Sequence, residues 1–328
     1  MCVIFWTVND PQYELVIASN RDEFLSRPTR AAEWHSFDSR SASPRVLSAR
    51  DSTGGGTWLG VSENGAFAAL TNFTESAPRI PVGMDGFESR GGLVRDWLTL
   101  QAAMCGGKRS LQEVSTQVQE YLNSVGAKGD RYPGFNLLVG ALSLQGMVVG
   151  YVTNRTLQGQ VVRDATVDMF LPLPHGATEA SSATSPPVGM SNSILAQPWR
   201  KVTSGSHSFC QIVSSHHTQS TTLEDMTEQL FDLLWTSSNP PPSQRSELQN
   251  SVLISPLELP ASASTERDWY ATRTSTVITI AKDGSARLVE RDTFQLRDAQ
   301  PVLVNGPEAT AALAGRDGGQ RMFAWHIQ

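Results

Sequence analysis

The second residue, Cys2, is the strongest candidate for chemistry in this sequence. An initiator methionine is readily removed before a residue as small as cysteine, and loss of Met1 would leave one residue with both a thiol and a free α-amine. The amine of a chain terminus has a pKa of about 7.7–8.0, so it can accept the thiol proton near neutral pH. The position therefore predicts a nucleophile that carries its own base. The alternative is a small core residue at the start of a strand.

A polar segment, SNRDEF at 19–24, directly follows an apolar stretch. Asp22 is the available partner for the α-ammonium of Cys2, because a partly buried charge needs a matching charge. Arg21 and Glu23 are then ion-pair members or residues at the rim of a site. The alternative is that these charged residues form a solvated turn at the end of a strand.

Other familiar motifs are missing or incomplete. The glycine-rich segment GGGTWLG at 54–60 lacks the Lys-Ser/Thr pair of a P-loop, and a tight turn is favoured. The sequence has neither a G-x-S-x-G elbow nor an H-E-x-x-H pair. His216 and His217 are candidate ligands for a metal or a haem iron, but a surface turn before a helix is favoured. No metal site is therefore predicted.

Strand and helix patterns alternate along the chain. Three hairpins are predicted, over 2–8 with 13–19, 57–61 with 66–72, and 134–141 with 147–153. Apolar periodicity predicts helices over 91–101, 111–122 and 222–235. Later strands are expected over 251–255, 275–280, 286–291 and 322–327. Ser/Pro-rich stretches near 176–187 and 236–247 predict mobile surface loops within one domain that spans 1–328.

Composition and charge exclude several classes of protein. The 328 residues are 39% hydrophobic and 18% charged, with a net charge of -6, which is typical of a globular protein without a nucleic-acid footprint. No apolar run reaches the roughly 18 residues of a membrane helix. The cysteines Cys2, Cys105 and Cys210 lack paired spacing, which favours a reducing compartment and predicts a cytoplasmic protein.

In combination these motifs resemble the transport and Golgi organization 2 family, also called NRDE proteins. The resemblance is carried by the N-terminal Met-Cys, SNRDEF at 19–24, GGGTWLG at 54–60, ALTNF at 69–73, SNS at 191–193, PWRKV at 198–202 and YATRTST at 270–276. A more distant resemblance is to N-terminal-nucleophile (Ntn) cysteine hydrolases, the penicillin V acylases and bile salt hydrolases. Both resemblances imply an α/β fold, a four-layer αββα sandwich of the Ntn-hydrolase type.

The distant resemblance also implies a set of site residues. The catalytic residues would be Cys2, Asp22, Asn72, Asn192 and Arg273. The two asparagines would stabilise developing negative charge, and Arg273 would lower the pKa of the thiol. Asn20 and Arg21 are the candidates for substrate binding. The match has one departure, because the arginine of the acylase segment falls at Ser19.

Two functions follow from these expectations. The first is a cysteine hydrolase that acts on a small-molecule amide or thioester through Cys2. The second, implied by the family resemblance, is a non-catalytic protein of Golgi organisation and secretion that binds or traffics lipid, acyl-CoA or haem. No cofactor is expected, and haem would be a cargo. The resemblance also implies a Golgi or mitochondrial association.

Overall fold

The computed structural model describes residues 2–38, 46–75, 86–104, 109–172, 189–218, 221–260, 267–306 and 319–327. The helices in these ranges are α1 (Gly91–Ala102), α2 (Leu111–Gly126), α3 (Arg200–Thr218) and α4 (Leu223–Leu234). The strands are β1 (Val3–Val8), β2 (Tyr13–Phe24), β3 (Thr29–His35), β4 (Val46–Asp51), β5 (Leu59–Ser62), β6 (Phe67–Asn72), β7 (Phe135–Ser143), β8 (Gly146–Thr153), β9 (Asp168–Phe170), β10 (Gly189–Met190), β11 (Leu257–Pro260), β12 (Arg267–Ala281), β13 (Ser285–Asp292), β14 (Phe294–Arg297), β15 (Gln300–Leu303) and β16 (Gln320–His326).

Most of these strands belong to two antiparallel sheets. The first sheet has the order β10-β1-β2-β12-β13-β16, with β11 paired to β12. The second sheet follows the chain in the order β3-β4-β5-β6-β7-β8-β9. Strands β14 and β15 form a separate hairpin. The long strands β2 and β12 lie side by side at the centre of the first sheet, so β1 is held against a rigid neighbour.

Side chains alternate between the two faces of each strand, and in this protein both faces are apolar. Ile4 and Trp6 of β1 join the core between the two sheets, whereas Val3 and Phe5 pack towards α3 and α4. Helices α1 and α2 cover the outer face of the second sheet in the same way. The layers are therefore helix, sheet, sheet and helix. This arrangement confirms the four-layer αββα sandwich that the sequence predicts.

The SNRDEF segment is part of a strand, which corrects the alternative of a solvated turn. Strand β2 continues to Phe24, and Asn20, Arg21 and Asp22 are all buried within it. The strand continues because it pairs with β12 along this whole segment, with one irregularity at Arg273. The polar residues are therefore held at fixed positions on the two faces of a central strand.

Most predicted helices and hairpins are present, and two local predictions are wrong. Residues 251–255 form no strand, and the strand in this region is β11, which starts at Leu257. His216 and His217 lie in the last turn of α3, not in a turn before a helix. The glycine-rich segment is a tight turn as expected, since Gly55 has a φ of 68° and a Cβ on Gly56 would meet the backbone of Gly91.

The two Ser/Pro-rich stretches have different outcomes. The stretch at 176–187 lies outside the described residues. The stretch at 236–247 is mostly irregular and exposed, and it leads into a short 3₁₀ helix at Arg245–Asn250. Across the described ranges, no helix combines the length and the apolar character needed to cross a membrane.

Candidate functional site

A cavity of about 770 Å³ lies where β1 begins and where β2, β4 and β6 end. The first sheet contributes Cys2, Arg21, Asp22 and Glu23 to its wall, and the second sheet contributes Asp51 and Asn72. Further lining comes from the turn before β5, the segment after β6, the start of α1 and the loop after β8, including Trp58, Phe73, Arg90, Arg155 and Leu157. The cavity therefore combines charged groups with aromatic and aliphatic surface beside the thiol.

Cys2 is partly buried at the start of β1 and is fixed by β10. The register places Ile4 opposite Met190, and the Ser191 hydroxyl donates a hydrogen bond of 2.6 Å to the carbonyl oxygen of Cys2. Burial raises the pKa of the Cys2 thiol and the charge of Asp22 acts in the same direction, whereas a backbone hydrogen bond from Asp22 lowers it. Because the net pKa is raised, the thiol needs a base to become a nucleophile at neutral pH.

Asp22 lies within a fully buried polar cluster. Its Oδ1 accepts a hydrogen bond of 2.7 Å from the Thr272 hydroxyl, and its carbonyl oxygen accepts one of 2.8 Å from Tyr270. Its Oδ2 lies 3.6 Å from Nζ of Lys201, and neither side chain has any exposed surface. The predicted partner of the chain terminus is therefore also the partner of a buried lysine.

Lys201 was not predicted as a site residue, although it lies in the PWRKV segment. The signal that would have found it is helical spacing. Lys201, Gly205, Phe209 and Val213 recur every four residues, and all four are buried on the face of α3 that packs on the first sheet. A lysine on such an apolar stripe is unusual and indicates a specific partner.

The two predicted asparagines approach Cys2 from the second sheet and from β10. Asn72 ends β6 and lines the cavity. Asn192 directly follows Ser191, and its carbonyl oxygen accepts a hydrogen bond of 2.8 Å from the backbone N–H of Thr74. The Asn192 side chain is buried, and its Oδ1 has no hydrogen-bond partner among the described residues. This oxygen is an acceptor, and Asn192 is not among the described residues that line the cavity.

Arg21 lies on the cavity face of β2, and extending the register by one residue beyond the Val3–Asn20 pair places it across from Cys2. Its guanidinium carbon lies 3.9 Å from the centroid of the Trp58 ring, and Nη1 donates a hydrogen bond of 3.0 Å to the Thr29 hydroxyl. Burial lowers the pKa of Arg21, while the neighbouring Glu23 raises it. The stacking and the hydrogen bond hold this charge in one position at the cavity wall.

Asn20 is not among the described residues that line the cavity. Its Nδ2 donates hydrogen bonds to the carbonyl oxygens of Leu234 (2.7 Å) and Val252 (3.2 Å). Its Oδ1 accepts a hydrogen bond of 2.7 Å from the Ser275 hydroxyl. These contacts connect β2 to the end of α4, so Asn20 stabilises the packing of the first sheet against the helices. Its predicted role in substrate binding stays a prediction.

Arg273 is also separated from the larger cavity. It lies at the irregularity in the β12–β2 pairing, and its guanidinium donates hydrogen bonds to the carbonyl oxygens of Phe24 (3.1 Å) and Arg27. It lines a second cavity of about 110 Å³ with Glu290 and Asp292. Burial lowers the pKa of Arg273 to about 10, and the charge of Arg21 acts in the same direction. Its predicted catalytic role also stays a prediction.

The histidine pair is engaged within the fold. Nε2 of His216 lies 2.9 Å from the Tyr13 hydroxyl and Nδ1 lies 3.1 Å from the Thr221 hydroxyl, while His217 pairs with Asp10 at 2.8 Å. In the part of the chain that the structure describes, no group of three or more His, Cys, Asp or Glu residues is arranged to hold a metal ion.

The solved structures that match this chain along its length include two variants of one enzyme. One is a mutant of the conjugated bile acid hydrolase of Clostridium perfringens, 9% identical, with a TM-score of 0.43 over 100% of this chain and 98% of the other. The second is another variant of that hydrolase, 10% identical, with a TM-score of 0.43 over 100% of this chain and 97% of the other.

Sequence comparison gives a much closer match. The Transport and Golgi organization protein 2 homolog of Bos taurus is 32% identical over 298 residues, which cover 89% of this chain and 92% of the relative. The Homo sapiens homolog is 30% identical over the same shares of both chains. The family model described as "Transport and Golgi organisation 2" matches residues 1–318. The chain therefore belongs to the Transport and Golgi organisation 2 family, which confirms the resemblance drawn from its motifs.

Proposed function

We propose that this protein is a cysteine hydrolase that cleaves a small-molecule amide or thioester, with Cys2 as nucleophile after Met1 is removed. The observation that carries the proposal is the position of Cys2. It directly precedes β1, the neighbour of the central strand β2, lines a cavity of about 770 Å³, and lies close to the buried pair of Asp22 and Lys201. A cavity of this size suits a small molecule.

The α-amine of Cys2 is the proposed base. It takes the thiol proton, and Sγ then attacks the substrate carbonyl carbon to form a tetrahedral intermediate. As the C–N or C–S bond breaks, the leaving group receives the proton from the α-ammonium, and the acyl group stays on Sγ as a thioester. Water, deprotonated by the amine, then hydrolyses that thioester and returns the proton to the thiol.

The remaining predicted residues have proposed roles that depend on their distance from Cys2. Asn72 and Asn192 are the proposed donors to the oxyanion of the tetrahedral intermediate, through side-chain or backbone N–H groups. Arg21 is the proposed contact for the polar part of the substrate, because it is a fixed charge on the cavity wall opposite Cys2. Arg273 and Asn20 would act indirectly, by holding the end of β2.

The competing proposal is a non-catalytic binding protein that uses the same cavity for a lipid, acyl-CoA or haem. This proposal is supported by the family name, which points to Golgi organisation, and by the link to secretion that we propose from it. The hydrolase is favoured because the cavity wall holds a thiol, carboxylates and an asparagine, where β1 begins and where β2, β4 and β6 end. We propose the cytoplasm as its location, since the described cysteines Cys2 and Cys210 are free thiols.

A labelling experiment tests the proposal without knowledge of the substrate. In a Cys105→Ser/Cys210→Ser background, Cys2 is the remaining thiol. A chain that begins at Cys2 is compared with one that carries two uncleavable residues before it, and both react with a chloroacetamide probe at pH 7. Intact mass reports the start of the chain and the extent of labelling together.

The extended chain should label about 100-fold more slowly, because its thiol has lost the base. Cys2→Ser should fold and lose the label. Equal rates for the processed and extended chains, with both folded, would remove the amine from the mechanism and favour the binding protein.

A further inference from the structure

Lys201 is a buried cation that the proposed reaction does not use. Its side chain has no exposed surface, and its Nζ has no hydrogen-bond partner among the described residues. The ring of Trp199 is 5.9 Å from Nζ, and the carboxylate of Asp22 is 3.6 Å away. Burying an ammonium ion is costly unless it is matched, so an apolar residue would suit this stripe of α3 better if packing were its only task.

The strand geometry places Asp22 and Lys201 on the helix side of the first sheet, opposite the side that faces the cavity. On β2, Val16 and Ala18 face the helices, and the same alternation brings Asn20 and Asp22 to that face. Arg21, between them, faces the cavity across from Cys2. Asp22 is thus bonded to Thr272 and paired with Lys201 on the helix side, while its backbone reaches the thiol.

We propose that Lys201 is a positioning residue of the Cys2 site, whose ammonium balances the charge of Asp22 so that the α-amine of Cys2 stays unprotonated at neutral pH. This inference rests on the proposed function of Cys2 and adds a residue to it. Without Lys201, the buried carboxylate would draw a proton onto the nearby amine. The amine would then be an ammonium ion, which cannot accept the proton of the thiol.

The sign of the effect follows from electrostatics. A positive charge near the coupled amine and thiol favours loss of a proton from the pair, whichever of the two groups releases it, and a negative charge opposes that loss. Lys201 and Asp22 therefore act in opposite directions. Burial lowers the pKa of Lys201, and the charges of Asp22 and Cys2 oppose that shift and favour the ammonium form.

On the cavity side, the other charged groups are largely matched with one another. These groups are Arg21 beside Glu23, Arg27 with Asp51, Arg155 with Glu75, and Arg90 at the start of α1. On the helix side the charged pair is Asp22 and Lys201. Replacing each residue in turn measures the effect of its charge on Cys2 separately.

The test is the pH profile of Cys2 labelling, measured with the chloroacetamide probe on processed chains in the Cys105→Ser/Cys210→Ser background. Lys201→Met keeps the length of the side chain and removes its charge, and Asp22→Asn removes the opposing charge. The double variant removes both. Lys282→Met is the matched control, because Lys282 pairs with Glu14 at 3.1 Å and is partly exposed, apart from the cavity lining.

We expect Lys201→Met to move the midpoint of the profile upwards by roughly one pH unit, about a tenfold loss of rate below the midpoint. Asp22→Asn should move it downwards, and the double variant should return to within about 0.3 unit of the parent. The control should not move it. A role in packing alone would lower stability without shifts of opposite sign.

Unshifted midpoints, or shifts in the same direction, in folded single variants would overturn the inference. If a single variant does not fold, the double variant still decides, because a midpoint displaced by a unit or more contradicts the balance of charges. Failure of the proposed function is recognised separately, by equal labelling of processed and extended chains. A slow extended chain together with an unshifted Lys201→Met profile would refute the Lys201 inference alone.

Discussion

Replacement of Asn20 by alanine separates a structural role for this residue from a role in substrate binding. Asn20 is fully buried and makes three hydrogen bonds, to Leu234, Val252 and Ser275. Each contributes about 1 kcal/mol net, so their loss should lower the free energy of unfolding by about 3 kcal/mol. For a chain of this size that corresponds to a fall of roughly 4–5 °C in the melting temperature.

The assay is urea and thermal unfolding, with Cys2 labelling measured at a temperature where both proteins are folded. Asn305→Ala is the matched control, because Asn305 is less buried and donates one hydrogen bond of 3.1 Å to the Asp292 carbonyl oxygen. Asn305→Ala should lower the free energy of unfolding by about 1 kcal/mol. Asn20→Asp should be at least as destabilising as Asn20→Ala, since a carboxylate cannot donate to the two carbonyl oxygens.

The labelling rate of folded Asn20→Ala should stay within about twofold of the parent, because Asn20 is uncharged and neither it nor its hydrogen-bond partners line the cavity. The reasoning would be refuted by a variant with unchanged stability. If that variant also fails to bind a ligand that the parent binds, the result would favour the alternative, a role of Asn20 in substrate binding.

Two further predictions concern histidines. Burial, reinforced by the charge of Arg50, lowers the pKa of His35 to about 4, so the folded state binds this proton more weakly than the unfolded state. Its contribution to stability should be complete above about pH 6.5 and lost as the pH falls towards 4, and urea midpoints at pH 7 and 4.5 should differ less in His35→Gln than in the parent. Haemin should bind only weakly, because both ring nitrogens of His216 are already engaged by Tyr13 and Thr221. A tight one-to-one complex that His216→Ala abolishes, measured by absorbance titration, would contradict that expectation.

Local patterns in the sequence determined much of the fold. Apolar residues on both faces of 2–8 and 13–19 require a strand pair that is covered on both sides, and this is what a sheet between helices and a second sheet provides. The four-residue spacing in α2 and α4 is enough to place one apolar face of each helix on a sheet. Family motifs added the layer order, because their arrangement along the chain carries information that periodicity lacks.

The polar residues at the end of β2 show what local patterns could not determine. A run such as SNRDEF is typical of a turn, and only pairing with β12 keeps it extended and buried. Strand alternation then sends Arg21 to the cavity and Asn20 and Asp22 to the helices, so neighbours in sequence have different tasks. The break in pairing at Arg273 brings Thr272 opposite Asp22 and turns Arg273 to a different cavity.

Lys201 depends on tertiary structure in the same way. The sequence analysis predicts no helix over 200–218, and the structure places Lys201 on the apolar stripe of α3, with its partner 179 positions earlier (201 − 22) on a strand of another layer. Long-range contacts of this kind depend on how the layers stack, and no local propensity encodes them. Sequence patterns and motifs therefore predicted most of the hairpins and three of the helices, the family, and Cys2 as the candidate nucleophile. The tertiary structure decided which charges surround that thiol, because burial forces each charge to be matched by whatever side chain the packing brings within reach.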